Sequence, residues 1–141
     1  RNGIMLHRIF EKASTVEELY SSIKRMSLDC LIDNDEAERL RSNIERAMSD
    51  ERAREWFCGS WDDIKTEAEI LCKNGIRRPD RVMISGDRAV VVDYKFGDKI
   101  NKYYNRQMSE YISLLRSMGK YNTIEGYVWY ISLGHIESVG Q

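Results

Sequence analysis

The chain has 141 residues, a length that suits a single domain with a sizeable core. A hydrophobic share of 42% and a charged share of 32% are typical of a globular protein and exclude a disordered chain. No apolar run approaches the roughly 20 residues that span a bilayer, and the net charge of −1 gives no independent support for a nucleic-acid-binding surface.

The N-terminus and the cysteines bear on the extent of the chain and on its cellular compartment. The sequence shows no signal-peptide pattern. It begins at Arg1 rather than Met, and a motif follows almost at once, so we expect a fragment cut from a longer polypeptide. Its three cysteines, Cys30, Cys58 and Cys72, lie far apart and form no Cys-x-x-Cys pair. Such a set is a poor disulfide framework and a poor zinc or iron–sulfur site. It favours a reducing compartment, and we expect the cytoplasm.

Helical periodicity dominates the first 57 residues. Ser14 or Thr15 is the expected N-cap of the second helix, because Glu17 and Glu18 follow in its first turn. The third helical stretch is highly charged, with apolar residues at helical spacing. The predicted segments are Gly3 to about Lys12, a helix that ends near Met26, and Asp35 to about Phe57.

The pattern changes to strands in the middle of the chain. Three strand-like segments follow one another, and Gly86-Asp87 between the last two predicts a tight hairpin turn. A helix with Gly119 as its C-cap and two closing strands complete the chain. The predicted segments are strands Lys65–Cys72, Arg78–Ile84 and Arg88–Phe96, helix Asn101–Met118, and strands Ile124–Leu133 and His135–Val139. This order predicts an α/β fold with a mixed β-sheet.

Asp93 and Lys95 are charged residues in a strongly apolar predicted strand. They are two positions apart, so their side chains leave the same face. Burying a bare charge is costly, and such residues must be paired, bound to metal or set at a cleft. Antiparallel pairing about Gly86-Asp87 brings Asp80 opposite Asp93. Two adjacent carboxylates repel unless a cation lies between them, and oxygen ligands suit Mg²⁺ or Mn²⁺.

Each fragment also has a simpler interpretation. An Asp-x-Lys on a strand is usually a surface ion pair worth about 0–1 kcal/mol, and Asp80 after Pro79 is compatible with a turn. Basic residues around the predicted strands are compatible with neutralisation of a DNA backbone and equally with solvated surface. These residues are Lys73, Arg77, Arg78, Arg81, Lys99, Lys102 and Arg106.

Taken together, the fragments resemble the signature of the PD-(D/E)xK nucleases. Pro79-Asp80, twelve further residues and then Asp93-Tyr94-Lys95 have its form. Upstream, Gly3-x-x-x-His7-x-x-x-Glu11 resembles the first motif of RecB-like nucleases, and Gln107-x-x-x-Tyr111 resembles their last one.

Two weaker matches support the same family. Glu67 occupies the place of the acidic residue that often precedes the Pro-Asp motif, although Glu69 shares its strand face and only the resemblance separates the two. The segment Gly126-Tyr127-Val128-Trp129-Tyr130 is similar to the closing strand of nuclease domains at the end of UvrD/Rep-like, AddA-like helicases.

The resemblance implies a restriction-endonuclease-like fold, with a single domain over residues 1–141, and a Mg²⁺- or Mn²⁺-dependent deoxyribonuclease activity in recombination and double-strand break repair. The implied partners are DNA, in particular single-stranded DNA, a UvrD/Rep-type helicase in the same polypeptide and an AddB-like subunit. The implied site residues are Asp80, Asp93, Lys95 and Glu67 for catalysis; His7, Asp80, Asp93 and the backbone carbonyl of Tyr94 for the metal; and Gln107 and Tyr111 for substrate.

Two other functions remain open. A nuclease-like module without activity would bind DNA or a partner subunit, but it would be expected to lack Asp80, Asp93 or Lys95. A free-standing restriction endonuclease would not be expected to have the motifs around His7 and Gln107. An iron–sulfur subtype needs four cysteines, and the three scattered cysteines cannot supply them.

Overall fold

The computed structural model describes residues 1–66, 70–72 and 75–140, with only the backbone described at 70–72, 76 and 77. The chain forms two compact units, Arg1–Gly59 and Ser60–Gln141. Glu67, Glu69 and Lys73 lie outside the described residues. The assignment of residues 1–141 to one nuclease domain stays a prediction.

Residues 1–59, all of which are described, form four helices: α1 (Asn2–Lys12), α2 (Val16–Leu28), α3 (Asn34–Ala47) and α4 (Glu51–Cys58). Thr15, rather than Ser14, is the N-cap of α2, because its hydroxyl accepts a hydrogen bond from the backbone N–H of Glu18. Leu19, Ile23 and Ile44 are among the fully buried side chains, and the rings of Phe10 and Phe57 pack edge to face.

The continuous helix predicted from Asp35 to Phe57 is wrong at its centre. The chain leaves α3 after Ala47 and begins α4 at Glu51. The carboxylate of Asp50 accepts a hydrogen bond from the backbone N–H of Arg52 and so caps a new helix. An aspartate at an N-cap competes with continuation of the preceding helix, and periodicity alone does not show this break.

The second unit contains the sheets and the last helix. Its elements are β1 (Asp63–Lys65), β2 (Ile70–Cys72), β3 (Gly75–Arg77), β4 (Arg81–Ser85), β5 (Arg88–Lys95), α5 (Tyr103–Ser117), β6 (Thr123–Tyr130), a 3-10 turn (Ile131–Leu133) and β7 (His135–Val139). Within the described part of the chain, five strands form one sheet in the order β1-β4-β5-β6-β7, and β2 pairs with β3 in a separate ribbon. Only β5 and β6 are parallel in the larger sheet.

Three predicted strand boundaries are wrong. The segment predicted as one strand, Lys65–Cys72, contributes to two strands in different sheets. The strand predicted from Arg78 begins only at Arg81, because Pro79 has no N–H to give to a ladder. The strand β6 ends at Tyr130, since the chain turns through Gly134 with φ +61° to pair β7 antiparallel.

The predicted hairpin at Gly86-Asp87 is confirmed. Gly86 has φ +59°, and β4 pairs antiparallel with β5 in the register Arg81↔Val92 to Ser85↔Arg88. After β5 the chain crosses through α5 and returns as β6 parallel to β5. Parallel neighbours need such a crossover, and the helix covers the sheet face that it crosses.

Side-chain contacts at the start of β5 stabilise the register of the parallel pair. Arg88 Nε lies 2.5 Å from Glu125 Oε2 on β6, and the guanidinium also lies 5.3 Å from the ring centre of Trp61. Tyr127 donates its hydroxyl hydrogen to Glu125 Oε1 at 2.8 Å. These contacts hold β5 and β6 at the end of the pair opposite to Lys95, which is in register with Tyr130.

The core between α5 and the sheet includes Ala89, Val91, Met108, Ile112 and Val128. The chain therefore has the predicted α/β fold with a mixed β-sheet, consistent with a restriction-endonuclease-like architecture. In the described ranges, no helix is both long enough and apolar enough to cross a membrane.

Gly126 permits the close approach of α5 to β6. A Cβ there would lie 2.6 Å from Ile112 Cδ1 and 2.8 Å from both Met108 Cγ and Met108 Sδ. We expect Gly126→Ala to lower the free energy of unfolding by about 1–3 kcal/mol, because the core must shift to admit the methyl group. Denaturant unfolding measures this effect. Gly140→Ala, at a position with open space around it, should change stability little, and equal effects would contradict the close-packing argument.

Candidate functional site

Asp80 and Asp93 lie against each other where β4 begins and β5 nears its end. The backbone N–H of Asp80 donates to Asp93 Oδ1 at 3.0 Å, and the N–H of Tyr94 donates to Asp80 Oδ2 at 2.7 Å. Arg81 pairs with Val92, so Asp80 continues the same register to Asp93. The predicted juxtaposition of the two aspartates is confirmed, and each carboxylate is held by the backbone of the other strand.

Burial acts on the charge of Asp93. The residue is 7% exposed, and burial raises the pKa of its carboxyl above the ordinary value. The N–H of Asp80 and the positive charge of Lys95 oppose this change without cancelling it. Keeping Asp93 ionised therefore costs free energy, and a further positive charge next to its carboxylate would recover part of it.

Lys95 is the last residue of β5 and shares the sheet face of Asp93. Its ammonium nitrogen lies 4.0 Å from the ring centre of Tyr104, in the first turn of α5. Its charge is also close enough to lower the pKa of Asp93. The structure thus brings together three of the predicted residues, Asp80, Asp93 and Lys95, at one end of the β4–β5 pair.

The side chain of Tyr94 lies on the opposite face of β5. Its ring packs edge to face on Trp129, and burial raises the pKa of its hydroxyl far above the ordinary value, against the opposing positive charge of Arg81. The backbone N–H of Tyr94 bonds to Asp80, and the charges of Asp80 and Asp93 also raise the pKa of the Tyr94 hydroxyl. The role of the Tyr94 backbone carbonyl in holding a metal stays a prediction.

Arg81 corrects the expectation of a solvated or DNA-facing surface for that residue. It is fully buried, and its Nε donates to Met83 Sδ at 3.2 Å. Its partner across the ladder is Val92, which lies on the buried face opposite to α5. The strand parity contained this signal, because Arg81 and Met83 are two positions apart.

Of the other predicted site residues, Gln107 and Tyr111 lie on α5, His7 lies in the first unit, and Glu67 lies outside the described residues. Tyr111 is 3% exposed and packs in the core beneath α5, whereas Gln107 on the same helix is half-buried. His7 lies in the first unit, on α1, with its Nε2 3.1 Å from Glu11 Oε2. The roles of these three residues, and of Glu67, stay predictions.

The donor set at the aspartates fits a hard divalent cation. Among the described residues, at this site and at every other, no group of three His, Cys, Asp or Glu side chains is close enough to hold a metal ion by itself. Mg²⁺ does not require one, since it keeps several waters and is usually bound through one or two carboxylates plus phosphate oxygens. Two adjacent carboxylates, one of them costly to ionise, match this requirement.

Comparison with protein-family models and with curated protein sequences found no match. The interpretation of the site therefore depends on its own geometry and on the motifs in the sequence.

A second cluster, which sequence patterns did not indicate, anchors the segment between β5 and α5. The hydroxyl of Tyr130 accepts from the N–H of Asn101 at 3.1 Å and donates to the carbonyl of Asn101 at 3.2 Å. Lys102 Nζ lies 2.8 Å from Glu137 Oε1, and His135 Nε2 lies 2.6 Å from Glu137 Oε2. The start of α5 is thereby tied to β6 and β7.

Hydrogen bonds from Lys102 and His135 lower the pKa of Glu137 from its ordinary value of 4.5 to about 2. A lowered folded-state pKa contributes stability above the unfolded value, and this contribution is lost as the pH falls through about 2. We expect Glu137→Gln to be less stable than the wild type at pH 6, with the difference shrinking between about pH 4.5 and 2. Thermal unfolding across this range measures it. A difference that stays constant down to pH 2 would contradict the assigned cause.

Proposed function

We propose that this chain is a Mg²⁺- or Mn²⁺-dependent nuclease that hydrolyses phosphodiester bonds in DNA. One observation carries the proposal: two aspartates are held against each other by reciprocal backbone hydrogen bonds, with a lysine on the same face of the same strand. The predicted motif of the PD-(D/E)xK nucleases contains these three residues, and the fold is consistent with that group.

Asp80, Asp93 and the backbone carbonyl of Tyr94 would hold the metal, with His7 as a further ligand implied by the resemblance. When bound, the metal supplies a water activated for attack and positive charge for the phosphate oxygens. Asp93 is suited to this role because its buried carboxylate is costly to keep charged without a cation. The backbone bonds to both aspartates hold their oxygens in place before substrate arrives.

Lys95 would orient the attacking water and offset charge that develops on the phosphate in the transition state. Its ammonium lies on the face of β5 that carries Asp93, so it can act on the same phosphate. Gln107 and Tyr111 are proposed to contact substrate and Glu67 to assist catalysis, on the resemblance alone.

The substrate and partners are proposed on the same basis. Single-stranded DNA, delivered by a UvrD/Rep-type helicase in the same polypeptide and with an AddB-like subunit, would suit recombination and double-strand break repair. A net charge of −1 is compatible with such delivery, because a larger parent protein can supply the basic surface that holds the DNA backbone.

An inactive nuclease-like module that binds DNA or a partner subunit is the second candidate. The observation in its favour is that the described ranges hold no group of three metal-ligating side chains. Retention of Asp80, Asp93 and Lys95 in one place argues against it.

Cleavage of linear single-stranded DNA with Mg²⁺ or Mn²⁺ tests the proposal. We expect Lys95→Ala and Asp93→Asn each to reduce the rate by about 100-fold or more, and EDTA to abolish it. Asp93→Asn keeps an oxygen that can accept the Asp80 N–H and removes a buried charge, so its melting temperature should not fall. Lys120→Ala, an exposed lysine beyond the end of α5, is the matched control and should cleave normally.

Calorimetric titration with Mn²⁺ separates the remaining outcomes. Metal binding without cleavage would indicate a domain that depends on its helicase for substrate. Neither binding nor cleavage would contradict the proposal and support the inactive module. Undiminished cleavage by Lys95→Ala would remove Lys95 from the mechanism.

A further inference from the structure

The ammonium of Lys95 has a contact that the nuclease motif does not include. Its nitrogen lies 4.0 Å from the centre of the Tyr104 ring, a distance at which a cation is attracted to the negative face of the ring. Lys95 is half-buried at the end of a strand, and a lysine side chain carries about 2 kcal/mol of rotamer entropy. Without such a contact its ammonium would occupy many positions.

An aromatic face suits a lysine that must act on phosphate or water. A carboxylate partner would neutralise the ammonium and use its N–H donors. The ring attracts the charge without accepting a conventional hydrogen bond, so the donors can still serve a ligand. Lys95 is two residues from Asp93 on the same face of β5, so the ammonium that contacts Tyr104 lies on the face that carries the aspartates.

Tyr104 is itself held firmly. It packs against the core between α5 and the sheet, and its backbone N–H donates to the carbonyl of Asn101 at 3.1 Å. The same carbonyl accepts from the hydroxyl of Tyr130 at 3.2 Å, and Tyr130 lies in register with Lys95 on the neighbouring parallel strand. Hydrogen bonds therefore link Tyr104 through Asn101 to Tyr130, the residue in register with Lys95.

From these contacts we propose that Tyr104 is a positioning residue that holds the Lys95 ammonium beside the two aspartates for phosphodiester hydrolysis. The proposal rests on the nuclease function proposed above, because Tyr104 positions Lys95 for the role that Lys95 has in that function. Tyr104 lies outside the Asp80, Asp93 and Lys95 motif, and its contact with the Lys95 ammonium indicates this role.

Kinetics of single-stranded DNA cleavage by Tyr104→Leu and Tyr104→Phe provide the first test. Loss of the ring should lower kcat by about 2- to 30-fold, the factor that corresponds to the energy of a cation–π contact. KM should change little. The Phe variant keeps the aromatic face and should retain most of the activity. Tyr121→Leu is the matched control, since Tyr121 is a half-buried tyrosine packed on the same core, and its kcat should be that of the wild type.

An NMR measurement tests the contact independently of activity. Protons next to the Lys95 ammonium should be shifted upfield by the ring current of Tyr104, and their signals are assigned by their loss in Lys95→Ala. The shift should persist in Tyr104→Phe and disappear in Tyr104→Leu. Melting temperatures of all variants establish that each one is folded.

The outcomes distinguish this inference from the nuclease proposal. The role of Tyr104 is supported if the ring-current shift is present in the wild type and kcat falls in Tyr104→Leu but not in Tyr104→Phe. If the wild-type protein cleaves DNA but shows no ring-current shift, the positioning role of Tyr104 is overturned and the nuclease proposal stands. Equal kcat losses in Tyr104→Leu and Tyr104→Phe would have the same meaning. A wild-type protein that shows the shift but neither binds metal nor cleaves DNA would overturn the catalytic role of Tyr104 together with the nuclease.

Discussion

The ladder between β4 and β5 is the constraint on which the site depends. The turn at Gly86 sets its register, and that register ends with Asp80 against Asp93. A shift by one residue would move each side chain of a strand to the other face of the sheet. The aspartates would then lose both their reciprocal backbone bonds and their place beside Lys95.

The second constraint is electrostatic. The ladder places Asp93 where it is buried, and burial makes its negative charge costly. A protein selected only for stability would have little reason to retain such a group, since buried charges are often replaceable by apolar side chains without loss. The surrounding structure maintains it with a backbone bond and a nearby ammonium, as expected when local instability is retained for binding or chemistry.

Much of the fold was predictable because its signals are local. Helix caps, strand alternation and the Gly-Asp turn act over a few residues, so the β4–β5 register and the facing of Asp80 and Asp93 were predicted correctly. The break before Asp50 leaves no sign in the apolar spacing, which continues across it. The charge of Arg81 predicts an exposed side chain, whereas its strand parity with Met83 places it on the buried face.

The sequence by itself determined the hairpin, the shared face of Asp93 and Lys95, and hence the composition of the candidate site. Only the tertiary structure decided that Tyr104 would lie over the Lys95 ammonium and that Tyr130 would anchor the start of α5. These contacts arise from the parallel pairing of β5 with β6 across the α5 crossover. The physical reason is that parallel pairing joins residues distant in the chain, and such partners leave no periodic pattern in the sequence.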